Sequence, residues 1–198
     1  NNFADVVLSL AKKNDINVVT VEGSHKEDFK KQLSKREELF RILKKTKDWF
    51  KSQLYNSRGS EALNYLITHR KLTKDTIEGF ELGYAPKTWS DLFDYLTKVE
   101  NFSFESILNA GLIVSKEGKN KAYDRFRNRL IVPIYDSQSR VVAFGGRSLD
   151  GAEPKYLNSP ESEVFEKGKI LFAFDKASSN IRKKDKAIVV EGYFDVIS

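Results

Sequence analysis

The sequence predicts an α+β chain: a helical N-terminal part, then a small mixed or antiparallel sheet subdomain, then the first strand of a further α/β domain. Three observations predict it. Apolar residues recur at three- and four-residue steps through residues 3–111. From Leu130 onward the texture changes to short β-branched runs separated by turn residues. Near the end, AIVVEG at 187–192 reads as a buried strand that runs into a glycine turn and the start of a helix.

In chain order, residues 3–13 suit a short amphipathic helix with Phe3, Val6, Val7, Leu10 and Ala11 on one face. Residues 14–25 read as a linker with a short extended piece. A long helix comes next, because Phe29, Leu33, Phe40, Leu43, Phe50 and Leu54 form one stripe that Leu39, Ile42 and Trp49 widen. Asn56–Gly59 ends it. Ser60-Glu61 opens a helix with Leu63, Leu66 and Ile67 inward. Thr73 suits an N-cap for a short helix containing Ile77. Phe80–Pro86 reads as a strand ending at a proline turn. Ser90 and Ser103 suit caps for two more helices, carrying Leu92, Phe93 and Leu96, and then Ile107 and Leu108, the second stopped at Gly111. Leu130–Tyr135 and Val141–Phe144 make an antiparallel hairpin around residues 136–139. Ile170–Phe174 reads as a strand and Asp175–Lys183 as a helix. The organisation expected is residues 1–25 as a terminal helix and linker, 26–186 as one subdomain, and 187–198 as the start of another.

Composition narrows the chemistry. The chain has 198 residues, 40% hydrophobic and 31% charged, the balance of a soluble globular protein with a real core. No run approaches the ~18 apolar residues of a membrane span. The N-terminus lacks a signal-peptide order and an initiating Met, and the chain stops in the apolar run VVEGYFDVIS, so both ends read as cuts. There is no cysteine, and His25 and His69 lie far apart, which disfavours a zinc site within the chain. A carboxylate site for a hard cation remains open. The net charge is +6, which favours a polyanionic partner. It is uneven: residues 119–147 carry Lys119, Lys121, Arg125, Arg127, Arg129, Arg140 and Arg147 against Asp124 and Asp136 alone. The 26–58 segment has eleven basic residues diluted by five acids.

Five places carry candidate chemistry. The 187–190 strand would put Glu191 at its carboxyl end, where ligands gather in α/β sheets, with Asp195 one helical turn on. Two such carboxylates suit Mg²⁺ or a proton, and equally an ordinary acidic first turn. In RFRNR, an extended chain would put Arg125, Arg127 and Arg129 on one face, suited to phosphates or to solvent. Gly145-Gly146 would let a ligand approach the backbone beside Arg147, or would mark a bulge. Lys155, Tyr156 and Asn158 combine charge, ring and amide in a loop that suits a single strand or nucleotide, or a turn capping a helix at 161–164 with Tyr156 packed on the core. Lys167, Lys169 and Arg70 read as surface or helix-end cations.

These pieces resemble a known family in order: YDRFRNRLIVPIYD at 123–136, VVAFGGRSL at 141–149, PKYLNSPES at 154–162, FEKGKILF at 165–172 and VVEGYFDV at 189–196, with a looser match over residues 62–86. The family is bacterial-type DNA primase, and residues 189–196 resemble the first motif of its topoisomerase–primase (TOPRIM) fold. Residues 1–20 resemble the helix after the primase zinc ribbon. The resemblance implies DNA-directed RNA polymerase activity, a nucleotidyl transfer that makes short RNA primers on single-stranded DNA from ribonucleoside triphosphates. It implies Mg²⁺ or Mn²⁺ at Glu191, supported by Asp195 and by acids beyond Ser198, with zinc only in an upstream domain. Template and nucleotide contacts are implied for Arg70, Arg147, Lys155, Tyr156, Asn158 and Lys167, and the basic groove would include Arg125, Arg127 and Arg129. An RNA–DNA hybrid product, a replicative helicase bound through a further region, no membrane, and a cytoplasmic place at the replication fork complete the expectation. The fragment alone is expected to be inactive. Another TOPRIM enzyme, a topoisomerase or nuclease, and a non-catalytic single-strand-binding module are the alternatives. The family commonly has Gly where this chain has Lys71 and Ser139, and at Ser139 we expect a longer loop without positive φ.

Overall fold

The computed structural model describes residues 3–13, 23–115 and 122–198. The extended piece expected within 14–25, Lys119 and Lys121, and the side chains of Phe3, His25 and Phe29 lie outside the described residues. The chain divides into two compact units, Asn1–Lys35 and Arg36–Ser198. The first holds helix α1 (Phe3–Lys13) and the beginning of α2 (Gly23–Tyr55). On α1 the expected apolar face is only partly covered, since Val6 and Leu10 are exposed.

The second unit is α+β. Its centre is a four-stranded antiparallel sheet in the order β1 (Gly83–Ala85), β4 (Arg129–Tyr135), β5 (Val141–Ser148), β6 (Tyr156–Asn158). Side chains alternate across a sheet with period two, and both faces here are covered. On one face Ile131, Phe144 and Phe126 meet α2, where Phe50 packs edge-on against Phe144 at 5.4 Å and Phe126 at 6.3 Å. On the other, Leu130, Val132 and Tyr84 meet Leu54, Leu66, Ile77 and Phe194. The α2 stripe expected from periodicity is real: Ile42, Leu43, Phe50 and Leu54 are fully buried. The helix comes so close to β1 that a Cβ at Gly83 would lie 2.7 Å from that of Phe50, so only glycine fits there.

Around this sheet lie α3 (Ser60–Asn64), a π-turn (Tyr65–His69), α4 (Lys74–Gly79), α5 (Asp91–Lys98), α6 (Phe104–Asn109), a small ladder of β2 (Ile113–Ser115) with β3 (Ala122–Asp124), α7 (Phe174–Lys184) and α8 (Tyr193–Ile197). Thr73 and Ser103 cap α4 and α6 as expected, accepting from Thr76 N and Ser106 N. Ser90 does not cap α5. The carboxylate of Asp124, only 2% exposed, does so from another element, accepting from Leu92 N and Phe93 N at 3.0 Å each. Burial pushes that carboxyl up to about 7, against the pull of the two N–H groups.

Several expectations are corrected. Residues 187–190 form no strand, and Ile188 and Val189 are exposed. A strand is held by its ladder, and none of the six described strands pairs with this segment. Residues 170–174 form a turn entering α7, and there is no helix at 161–164 but a tight Ser162–Phe165 bridge. Ile67 faces outward from within a π-turn, closed by Arg70 N to Tyr65 O, whose wider winding takes its residues off the α-helical stripe. Ser139 does take positive φ, +57°, with Asp136 accepting from Gln138 N and Arg140 N to hold the turn. Lys71 stands at φ +55°, the conformation in which glycine is easiest.

Beside β4, Lys47, Glu81 and Tyr135 form a half-buried network. Lys47 Nζ lies 2.5 Å from Glu81, and the Tyr135 hydroxyl donates to the other oxygen. Burial opposes charge on both ions, but the ion pair and hydrogen bonds outweigh it, raising Lys47 and lowering Glu81. Glu81 holds this place at φ +50°. A carboxyl lowered on folding contributes stability above its unfolded pKa of ~4.3, and that stability is lost as pH falls through the folded value. Urea unfolding is therefore expected to show Glu81→Gln less stable by roughly 1–3 kcal/mol at neutral pH, with the deficit shrinking below about pH 4. A deficit independent of pH would exclude the ion pair as its source.

Candidate functional site

Strands β5 and β6 set the geometry. Arg147 lies opposite Tyr156, and Gly145 opposite Asn158, so all four share the sheet face on which α8 rests. The expected open space over the glycines is already filled by the chain itself. A Cβ on Gly145 would meet the Tyr193 ring at 2.5 Å, and one on Gly146 would meet Phe126 at 2.8 Å. Tyr193 then donates its hydroxyl to Asn158 Oδ1 at 2.8 Å. Burial raises the Tyr193 phenol, so it stays a neutral donor. The residues read as strand-to-helix turn and as loop are thus tied together, with Glu191 just outside this contact.

Cations and rings pack at the same face. Arg147 lies 4.7 Å above the Tyr65 ring and donates to Ser148 O, while its Nε is buried without a hydrogen-bond partner. The π-turn brings Arg70 back over Tyr65, where Nε donates to the phenol at 3.0 Å, and the guanidinium lies 4.6 Å from the Phe194 ring. Two guanidiniums therefore flank one tyrosine, held by ring faces and not by carboxylates. Tyr156 is 45% exposed on β6, not packed on the core, with Lys155 Nζ 6.0 Å from its ring.

The three alternating arginines do not form one row. The chain leaves β3 at Asp124 and re-enters the sheet only at Arg129, with Asn128 at φ +49° between. Arg129 is 6% exposed and donates to Gly146 O and Lys155 O, holding the start of β6. Arg125 reaches Asn158 O. Burial lowers both guanidiniums. Arg127 turns the other way, donating to Asp124 O at 2.6 Å and lying 4.8 Å from both Trp89 and Tyr123. Trp89 is 69% exposed, the most open aromatic ring among the described residues. Sequence reading singled out Arg127 but missed its meeting with Trp89 and Tyr123, and it missed Tyr65 and Tyr193. Trp89 and Arg127 are far apart in sequence, and nothing local announces their meeting. Lys167 lies apart in a short 3₁₀ turn, its backbone N–H bonded to Glu161.

Glu191 and Asp195 are both exposed. One Asp195 oxygen accepts the Gly192 N–H at 3.1 Å, the return arm of a capping box. Among the described residues no group of three or more His, Cys, Asp or Glu is placed to hold a metal. Accessible carboxylate oxygens nonetheless suit Mg²⁺, which is commonly held by one or two carboxylates plus water and phosphate.

A family model described as the N-terminal domain of the DNA primase catalytic core matches residues 49–178. A DNA primase of Synechococcus elongatus is 47% identical over 197 residues, covering 100% of this chain and 28% of that protein. Among solved structures, a DnaG primase catalytic domain bound to single-stranded DNA aligns at TM-score 0.74 and 33% identity, over 83% of this chain and 50% of that one. The zinc-binding and RNA polymerase domains of the Aquifex aeolicus primase align at TM-score 0.71 and 32% identity, over 98% of this chain and 44% of that one. The chain spans under a third of the length of the S. elongatus relative. No described helix is long and apolar enough to cross a membrane.

Gly145→Ala is expected to lower stability by about 1–3 kcal/mol, because the new methyl overlaps the Tyr193 ring. Adding Tyr193→Ala should remove that penalty, so thermal unfolding of the double variant should show less than the sum of the two losses. Strict additivity would mean that the ring does not sit on Gly145.

Proposed function

The chain belongs to the DNA primase catalytic-core family, and from that premise we propose that it forms part of an enzyme that synthesises short RNA primers on single-stranded DNA from ribonucleoside triphosphates. Residues 26–186 would be the N-terminal subdomain of the core and 187–198 the start of the TOPRIM domain. Residues 1–25 would end the zinc-ribbon region. The observation that carries the reading is the gathering, on one sheet face, of Arg147, Arg70, Tyr156 and Asn158 beside the helix that comes after Glu191.

Each group has a chemical part. Arg147 and Arg70 present guanidinium groups fixed by rings, so that part of their ordering cost is met before phosphate arrives. Lys155 adds mobile charge beside Tyr156, and Lys167 would add charge from its separate turn. Tyr156 offers an exposed ring for base or ribose contact. Arg125 and Arg129 act from beneath by fixing the carbonyls of β5 and β6. Trp89 with Arg127 and Tyr123 forms a second platform, suited to a base of single-stranded template.

Glu191, with Asp195 in support, would hold Mg²⁺ or Mn²⁺, which neutralises charge on the phosphates during transfer. Glu191 alternatively suits the transfer of a proton from the attacking hydroxyl. Two carboxylates, one already bonded to Gly192 N–H, are a partial ligand set. For that reason residues 1–198 alone should bind single-stranded DNA weakly and polymerise nothing. The replicative helicase, a cytoplasmic place at the fork and an RNA–DNA hybrid product rest on the family reading.

In a full-length primase carrying this segment, Glu191→Gln should abolish primer synthesis while leaving single-strand binding intact. Primer synthesis by the 198-residue chain itself, or unchanged synthesis by the Gln variant, would overturn the assignment. Fluorescence anisotropy with labelled oligothymidylate should show Arg147→Ala and Lys155→Ala weakening binding more than Lys44→Ala, with affinity falling steeply as salt rises. Equal effects at all three positions would count against the groove.

A further inference from the structure

Asp124 caps α5 from a distant strand, and all of its bonds converge on one place. Its backbone N–H donates to Trp89 O at 2.7 Å. Its backbone carbonyl accepts from Arg127 Nη1 at 2.6 Å. Its carboxylate accepts from Leu92 N and Phe93 N, three and four residues beyond Trp89. Tyr123, the third member of the aromatic platform, is its neighbour in β3.

This arrangement solves a physical problem. Trp89 is 69% exposed and lies on the connection between β1 and α5, where chain mobility would scatter the ring. The residue that should cap α5, Ser90, makes no cap bond, and its hydroxyl reaches only Asp94 at 3.5 Å. The cap comes instead from β3. The chain at 89–90 is therefore free to run along β3, and one residue clamps it at the Trp89 carbonyl and again three and four residues further on. Asp124 itself is 2% exposed and lies out of reach of a ligand.

We propose that Asp124 is a positioning residue for single-strand recognition: by clamping the first turn of α5 and the Trp89 carbonyl to β3, it holds Trp89 and Arg127 as a pre-formed stacking platform. Pre-formation lowers the ordering cost of binding. The proposal rests on the reading of Trp89 as a base-stacking residue, and the experiment separates the two.

The test uses the 198-residue chain and a labelled oligothymidylate. Trp89→Ala is expected to weaken binding about tenfold, the usual worth of one stacked base. Asp124→Ala should weaken binding by several-fold when Trp89 is present and have no further effect in the Trp89→Ala background. With Trp49→Phe leaving Trp89 as the sole tryptophan, Asp124→Ala should also lower Trp89 fluorescence anisotropy. If Trp89→Ala leaves affinity unchanged, the stacking reading fails and this proposal with it. If Trp89→Ala weakens binding but Asp124→Ala does not, or weakens it equally in both backgrounds, the positioning role alone is overturned. Asp124→Asn guards against loss of folding: it keeps one acceptor, so it should give a smaller loss with the same dependence on Trp89. Affinity and anisotropy equal to wild type for the Asn variant would also overturn the proposal.

Discussion

Phe144 and Gly145 are neighbours in sequence and face opposite sides of the sheet. Phe144 closes the core with Phe50 and Phe126, and Gly145 receives the Tyr193 ring. Everything else depends on that alternation. Because β5 is central, with β4 on one side and β6 on the other, a shift of one residue would exchange the two sets. Phe144 would meet α8, and Arg147 would be driven towards the Phe50 core. The aromatic cluster makes such a shift costly, so packing on one face fixes the chemistry presented on the other.

The arginines show how little the charge of a residue says about its use. Arg129 spends its guanidinium on two backbone carbonyls, Arg147 lies on a tyrosine face, and Arg127 lies between a tryptophan and a tyrosine. Carbonyl oxygens and ring faces, rather than carboxylates, hold all three. Guanidinium is weakly hydrated and planar, which makes such partners adequate without cancelling the charge. Where such a guanidinium reaches the surface, as Arg127 and Arg147 partly do, its positive charge is left uncancelled.

Much of this is legible in the sequence. The α2 stripe from Leu39 to Leu54, the caps at Thr73 and Ser103 and the hairpin at 130–144 come from periodicity and turn chemistry, which act over a few residues. Arg147, Tyr156 and Asn158 stand out by type and motif, and the structure brings them to one face. The features that escape sequence reading depend on distant partners. Residues 187–190 look like a strand but have no ladder among the described residues. The RFRNR alternation assumes an extended chain, and Asn128 bends it. Glycines at 145 and 146 signal a close approach correctly, but the approaching groups are Tyr193, Phe126 and Arg129. The cap of α5 by Asp124 spans 32 positions, and no local pattern encodes it.

The π-turn has a consequence for comparing sequences. It closes one residue later than an α-helical turn, and the extra residue is what returns Arg70 to the Tyr65 ring. A relative lacking one residue between 65 and 69 would regain a regular helix and keep its arginine over the tyrosine, because four residues of an α-helix turn through about the angle that five cover here. In an alignment, a single gap there would pair arginines that share one direction, and an ungapped pairing would set Arg70 against a residue on another side of the helix.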